Sequence, residues 1–148
     1  RTKNIILGHH EKVNGTGYPF HKRGKDIGEE VMLVAICDTF DEMIKGIGYE
    51  QKKIHEVIEY LRTVAAYSFD YDMLIKVLSN IAWFPNGSKG ITNENEVGII
   101  IKQNKGLADR PIIKIIRDSS GNELKDGPVK NLLECLTVFI VDTTDEEI

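Results

Sequence analysis

GHHEKVNGTGYPF, Gly8 to Phe20, packs two adjacent histidines, a glutamate, an Asn-Gly pair and a Gly-Tyr-Pro step into one short stretch. Asn14-Gly15 favours a tight turn with positive φ, Gly17 permits close backbone approach, and Pro19 drives Tyr18 into an extended conformation. Tyr18 is thereby held in place, whether the stretch is a surface turn or the wall of a site. Neutral imidazoles bind divalent iron, manganese or zinc. Consecutive residues on a helix point about 100° apart, so His9 and His10 do not chelate one ion as an i, i+4 pair does; they suit two ions side by side. The carboxylate such a site needs must come from elsewhere in the chain. Asp38 is the best internal candidate, because it lies in an otherwise apolar helical run and a buried carboxylate needs a charged or hydrogen-bonding partner. Capping or bridging a neighbouring helix is the alternative role for Asp38.

Outward from this stretch, the pattern predicts an α+β chain. RTKNIILGHH has the composition of a helix already in progress, and Arg1 stands where an initiator Met is expected, which points to a chain cut or processed upstream. Glu29 to Lys45, EEVMLVAICDTFDEMIK, carries Val31, Val34, Ala35, Cys37, Phe40 and Ile44 close to a 3.6-residue period, with acidic residues at its start and Gly46 and Gly48 at its end. Lys52 to Val64 repeats the pattern through Ile54, Val57, Ile58 and Leu61, and a third helix follows Phe69 with Asp70 as its cap. After Trp83 the texture changes to β-branched runs punctuated by Gly, Asn and Asp: EVGIIIKQ, RPIIKIIRD, the turn SSGN and LTVFIVD. Residues 1–82 are thus expected to form a helical domain and 83–148 a small antiparallel β module of three or four strands, with Trp83 and Phe84 sealing the junction.

HHEKVNGTGYP, His9 to Pro19, followed by VAICDTFDEM, Val34 to Met43, resembles the HD-GYP family, a bacterial branch of the HD-domain metal-dependent phosphohydrolases. The family text is close to HHE-x-x-DG-x-GYP and then AD-x-(F/Y)-DA. The resemblance covers residues 1 to 82 and implies the C-terminal part of an HD-type all-α domain. It further implies hydrolysis of cyclic di-GMP, with His9, His10 and Asp38 as metal ligands and catalytic residues. Gly17, Tyr18, Pro19 and Tyr49 then contact the substrate. Paired ions about 3.5 to 4 Å apart suit this chemistry, since they lower the pKa of a bridging water and act as Lewis acids on the phosphoryl group. Glu11 is a local acceptor for the second ring nitrogens. The HD dyad, a Lys and another His precede the paired histidines in the family, so the two iron, manganese or zinc ions are complete only in a longer protein. The isolated chain is expected to be inactive and to form a homodimer through faces those helices would cover.

Three departures bear on the substrate. Asn14 replaces Asp and keeps the turn, Met32 stands where Arg is frequent, and KGIGYE at Lys45 to Glu50 replaces a stretch resembling SDRPYK. Ile47 and Glu50 remove two cations facing a dianionic ligand, which weakens charge-assisted recognition and favours an alternative, a degenerate nucleotide-binding or protein-interaction module without turnover.

Composition excludes several classes. With a formal charge of -4 and 28% charged residues the chain has no general attraction for a nucleic acid polymer or an anionic membrane surface, and no apolar run spans a bilayer. Cys37 and Cys135, far apart in apolar stretches, are read as reduced core residues of a cytoplasmic protein. His21 and His55 are expected to face solvent, Lys22, Arg23 and Lys25 to be a solubilising cluster, GSKG at Gly87 to Gly90 to be no phosphate loop, and TDEE at Thr144 to Glu147 to be a solvated tail.

Overall fold

Helices and strands segregate along the chain in the computed structural model, which describes residues 2–145 and, of residues 65 and 66, the backbone alone. Two units result, Arg1–Asn80 and Ile81–Ile148. The first holds α1 (Thr2–Gly8), a 3-10 turn (Gly24–Asp26), α2 (Glu29–Lys45), α3 (Ile54–Ser68) and α4 (Tyr71–Leu78). The second holds β1 (Lys89–Thr92), β2 (Val97–Asn104), β3 (Leu107–Arg117), β4 (Val129–Asn131) and β5 (Ile140–Thr144). The fold is α+β, as the pattern predicts. Glu146 and Glu147 of the acidic tail lie outside the described residues.

α2 begins with Glu29 and Glu30, whose charge complements the helix N-terminus. It ends at Gly46, which takes the left-handed conformation at φ 73 and returns its N–H to the Glu42 carbonyl. Its buried face is Val31, Ala35, Ile36, Thr39 and Met43. The expected stripe through Val34, Phe40 and Ile44 is rotated: these residues are half-buried and Cys37 is exposed, so Cys37 is no core residue. Apolar side chains surround this helix, which leaves its phase open in the sequence. Thr39 enters the core because its hydroxyl donates to the Ala35 carbonyl at 2.9 Å, satisfying the polar group locally.

α3 contributes Val57, Ile58 and Leu61, and α4 Leu74 and Leu78, all buried. Complete burial of such side chains stabilises the unit by about 1.5–3 kcal/mol each. Asp70 caps α4, its Oδ1 accepting from the Met73 N–H at 2.9 Å. His55 is a correction: it is 8% exposed, buried on the α3 face that carries Ile58 one turn on.

The second unit is a five-stranded antiparallel sheet in the order β4-β3-β2-β1-β5. Its core joins Ile100, Ile113 and Ile115 with Phe84, Leu132, Val138 and Ile140, and Trp83 packs against them. Trp83 and Phe84 thus serve this core. Ile113 and Ile115 alternate with outward residues along β3, and Ile100 is the register partner of Ile113. Five strands replace the expected three or four, since β1 and β4 are too short to show alternation. LTVFIVD becomes a strand only from Ile140. Ahead of it the chain is gripped: Arg110 Nη1 donates to the carbonyls of Leu132, Leu136 and Val138 at 3.2, 3.2 and 3.3 Å. Asn93 adds two side-chain bonds, from Nδ2 to the Thr137 carbonyl and from the Phe139 N–H to Oδ1. At the far edge Lys89 pairs with Thr144 across β1 and β5.

Candidate metal centre

α1 stops at Gly8, which is buried against Val31, and both histidines follow it in a turn. Released from helical geometry, they are not splayed as consecutive helical residues would be: their ring centroids lie 4.1 Å apart. One ligand atom from each of His9, His10 and Asp38 falls within 4.8 Å of the others. Asp38, expected to be buried, has a side chain 38% exposed, with Oδ2 3.8 Å from His9 Nε2. The three donors therefore converge on one accessible point.

His9 Nδ1 lies 2.9 Å from the Ile6 carbonyl and 3.3 Å from that of Ile5. A carbonyl only accepts, so Nδ1 carries a proton, which leaves Nε2, the ring nitrogen on the Asp38 side, as the atom that would ligate a metal. Backbone carbonyls of α1, not Glu11, thus set the His9 tautomer. Glu11 is 3% exposed and its carboxylate accepts from the N–H groups of Phe20 at 2.6 Å and Lys22 at 2.9 Å.

The loop between these anchors is tightly seated. Asn14 Oδ1 accepts from the N–H and hydroxyl of Thr16 at 3.0 and 2.7 Å, and Gly15 takes φ 79, as the Asn-Gly pair demands. A Cβ on Gly17 would lie 2.3 Å from the Lys12 nitrogen and 2.4 Å from the Glu11 Cα and the His10 carbonyl oxygen. The Tyr18 N–H donates to that carbonyl at 3.3 Å, and the Tyr18 ring stacks on His10 with centroids 4.7 Å apart at 23°. Gly17 and Tyr18 are thereby brought to the histidines, with Pro19 following in a cis peptide. Tyr49 stands beyond the end of α2, exposed, its phenol pushed up from the usual range by partial burial and by Glu42 and Tyr60.

Lys12 was not singled out by its residue pattern. Burial pulls its ammonium below the usual lysine range, opposed by the nearby charges of Glu42 and Asp38, and Nζ sits 4.5 Å above the Phe69 ring. Only its place two residues after the histidine pair could have drawn attention to it. A cavity of about 470 Å³ lies on another side of the loop, walled by Ile5, Leu7, Glu11, Phe20, Ile27 and Val31, and none of the three donors lines it.

The HD domain family profile matches residues 1–73, and that of the KOW domain associated with HD domain matches residues 91–148. The chain belongs to the HD-GYP branch of the HD-domain family. Its HD domain carries the three donors, and its KOW domain is the five-stranded sheet. The chain is 25% identical over 114 residues to a cyclic di-GMP phosphodiesterase of Pseudomonas aeruginosa, covering 76% of this chain and 27% of that protein. It is 41% identical over 54 residues to a probable cyclic di-GMP phosphodiesterase of Vibrio cholerae, covering 36% of this chain and 12% of that protein. A cyclic di-GMP phosphodiesterase of Thermotoga maritima is 37% identical over 49 residues, 33% of this chain and 13% of the relative. The HD-GYP chain thus spans about a quarter or less of these relatives' length. No solved structure matches it. Among the described residues no helix is long and apolar enough to cross a membrane.

Proposed function

We propose that His9, His10 and Asp38 ligate a divalent metal, iron, manganese or zinc, and that the chain is part of a cytoplasmic phosphodiesterase acting on cyclic di-GMP. The observation that carries this is the convergence of the three donor atoms within 4.8 Å. The donor set fits: two imidazoles, one with its tautomer fixed by α1, and one carboxylate open to solvent. When bound, such ions supply neutralisation of phosphoryl charge and a nucleophilic water at neutral pH.

The chain's own residues orient and bind. α1 carbonyls hold His9, Glu11 holds the loop, and Gly17, Tyr18 and Pro19 form the wall beside His10. The exposed Tyr18 ring offers a stacking surface for a base, and Tyr49 lies beyond the far end of α2 as a second contact. Three protein donors serve one ion; no fourth His, Cys, Asp or Glu joins them among the described residues. Two ions need further ligands, so these 148 residues alone are expected to bind metal weakly and to show no turnover. Self-association belongs to the same reading, since Ile6 and Leu7 stand exposed on α1.

Zinc or manganese titration of the purified chain tests the ligand set. His9→Ala and Asp38→Ala are each expected to weaken binding at least tenfold, roughly the loss that weaker, indirect supports of a metal already cause. Equal affinity and stoichiometry in all three proteins would remove these residues from the site. A second reading, a nucleotide-binding or interaction module without turnover, is favoured by the exposed Ile47 and Glu50. They stand where the family carries basic residues for substrate phosphates.

A further inference from the structure

We infer that Glu11 is a positioning residue for this centre: its buried carboxylate clamps the Gly17-Tyr18-Pro19 loop so that Tyr18 packs on the His10 ring. The inference rests on the reading of His10 as a ligand.

Burial makes the carboxylate selective in its partners. At 3% exposure it forgoes most of its hydration, and an ionised group so placed needs strong compensation. Its partners among the described residues are backbone N–H groups of one loop, Phe20 on Oε1 and Lys22 on Oε2. Such charge-assisted bonds are about twice as strong as neutral ones.

The loop's two ends are tied to each other by the Gly24 N–H to the Val13 carbonyl at 3.0 Å and by the Asn14–Arg23 bridge, and Val13 is tied to the Ser68 carbonyl, so what Glu11 holds is the Gly17-Tyr18-Pro19 stretch between those ends. Its link to the histidine turn is the long 3.3 Å bond from the Tyr18 N–H to the His10 carbonyl. Gly17 lies flat on the backbone of His10, Glu11 and Lys12, a contact that permits approach without supplying a strong directional bond. Pro19, with φ fixed by its ring, stands between the anchored Phe20 and Tyr18 and transmits the restraint. The result is the stacked Tyr18–His10 pair, which limits rotation of an imidazole whose ring nitrogens have no hydrogen-bond partner among the described residues. Glu11 thus does for His10, through the loop, what the Ile6 carbonyl does directly for His9.

Glu11→Gln keeps the shape and replaces one oxygen by an amide NH2, which sets a donor against a donor at Phe20 or Lys22. The readout is the metal-free NMR spectrum of the chain with labelled histidine. In the wild type the stacked tyrosine ring shifts the His10 ring protons upfield; Tyr18→Ala gives the position without that shift. Glu11→Gln is expected to move His10 most of the way to the Tyr18→Ala position, with core methyl signals of Ile36 and Leu61 unmoved. Coincidence of the His10 signals of folded Glu11→Gln with wild type overturns the inference. Should the variant not fold, hydrogen exchange in the wild type decides: protected Phe20 and Lys22 amides uphold the clamp, and exchange at the rate of open amides overturns it. Both readouts need neither metal nor substrate. In the zinc titration Glu11→Gln is expected to lose roughly tenfold in affinity. Absence of zinc binding in the wild type would sink the ligand reading while leaving the clamp measurable.

Discussion

Gly17→Ala probes the seat of the signature loop with a single added methyl. The new Cβ would stand 2.3 Å from the Lys12 nitrogen and 2.4 Å from two further atoms, all of them backbone. That is about 1 Å inside the roughly 3.5 Å at which such atoms meet comfortably. Backbone atoms cannot rotate away, so either the loop lifts or the histidine turn moves. Overpacking of this kind costs about 1–3 kcal/mol. In a helical unit of this size each kcal/mol lowers the melting point by roughly 4–8 °C, so a drop of about 5–20 °C is expected in the helical melt followed by circular dichroism. Gly48→Ala is the control. It has φ 71 and nothing within 4 Å of a Cβ, so it bears only the left-handed backbone cost of about 1–2 kcal/mol. The added methyl at Gly17 should also abolish the His10 ring shift, which the control should keep. A Gly17→Ala protein that keeps that shift and melts within about 2 °C of wild type would refute the steric reasoning.

Two further outcomes are expected. Glu50→Lys should tighten binding of cyclic di-GMP severalfold at low salt, with the gain shrinking as ionic strength rises; an unchanged calorimetric titration would show that Glu50 does not face the ligand. Asp118 is held below the usual carboxylate range first by the Asn122 side chain and then by the N–H groups of Asn122, Ser120 and Gly121. Because its folded pKa is depressed, its contribution is present above the ordinary value and fades as pH falls through the folded one. Asp118→Asn should therefore flatten the acid limb of the β unit's stability curve, and parallel curves for the two proteins between about pH 5 and pH 2 would exclude the effect.

The parts of the site legible in the sequence are those where residue chemistry leaves little choice. Asn14-Gly15 had to turn, Gly17 had to touch backbone, and Asp70 had to cap, because few other residues meet those demands. What could not be read was the angle at which α2 meets its neighbours. With apolar residues on nearly every side, the stripe through Val34 and Cys37 was as good on paper as the one through Val31, Ala35 and Met43. Only packing decided, and it moved Asp38 to an accessible flank facing His9. His55 hid for a similar reason, since an imidazole beside Glu56 looks solvent-bound until Ile58 on the same face is seen in the core. The end of α1 was marked by Gly8 itself, yet the histidines after it read as a continuation of the helix; the stop at Gly8 is what lets two consecutive histidines share one point.

The pairing of Lys89 with Thr144 has a consequence for the architecture of the whole KOW unit. The first strand to enter the sheet and the last to leave it are adjacent, so entry and exit lie about 5 Å apart across an antiparallel pair. A unit whose ends meet behaves as a cassette. Splicing it into a surface loop of another protein is expected to stretch neither sheet nor host, provided that Trp83 and Phe84, which precede β1 and pack in its core, travel with it. Opening the chain within the segment gripped by Arg110 would cut into the structure itself, since its carbonyls depend on a side chain from β3.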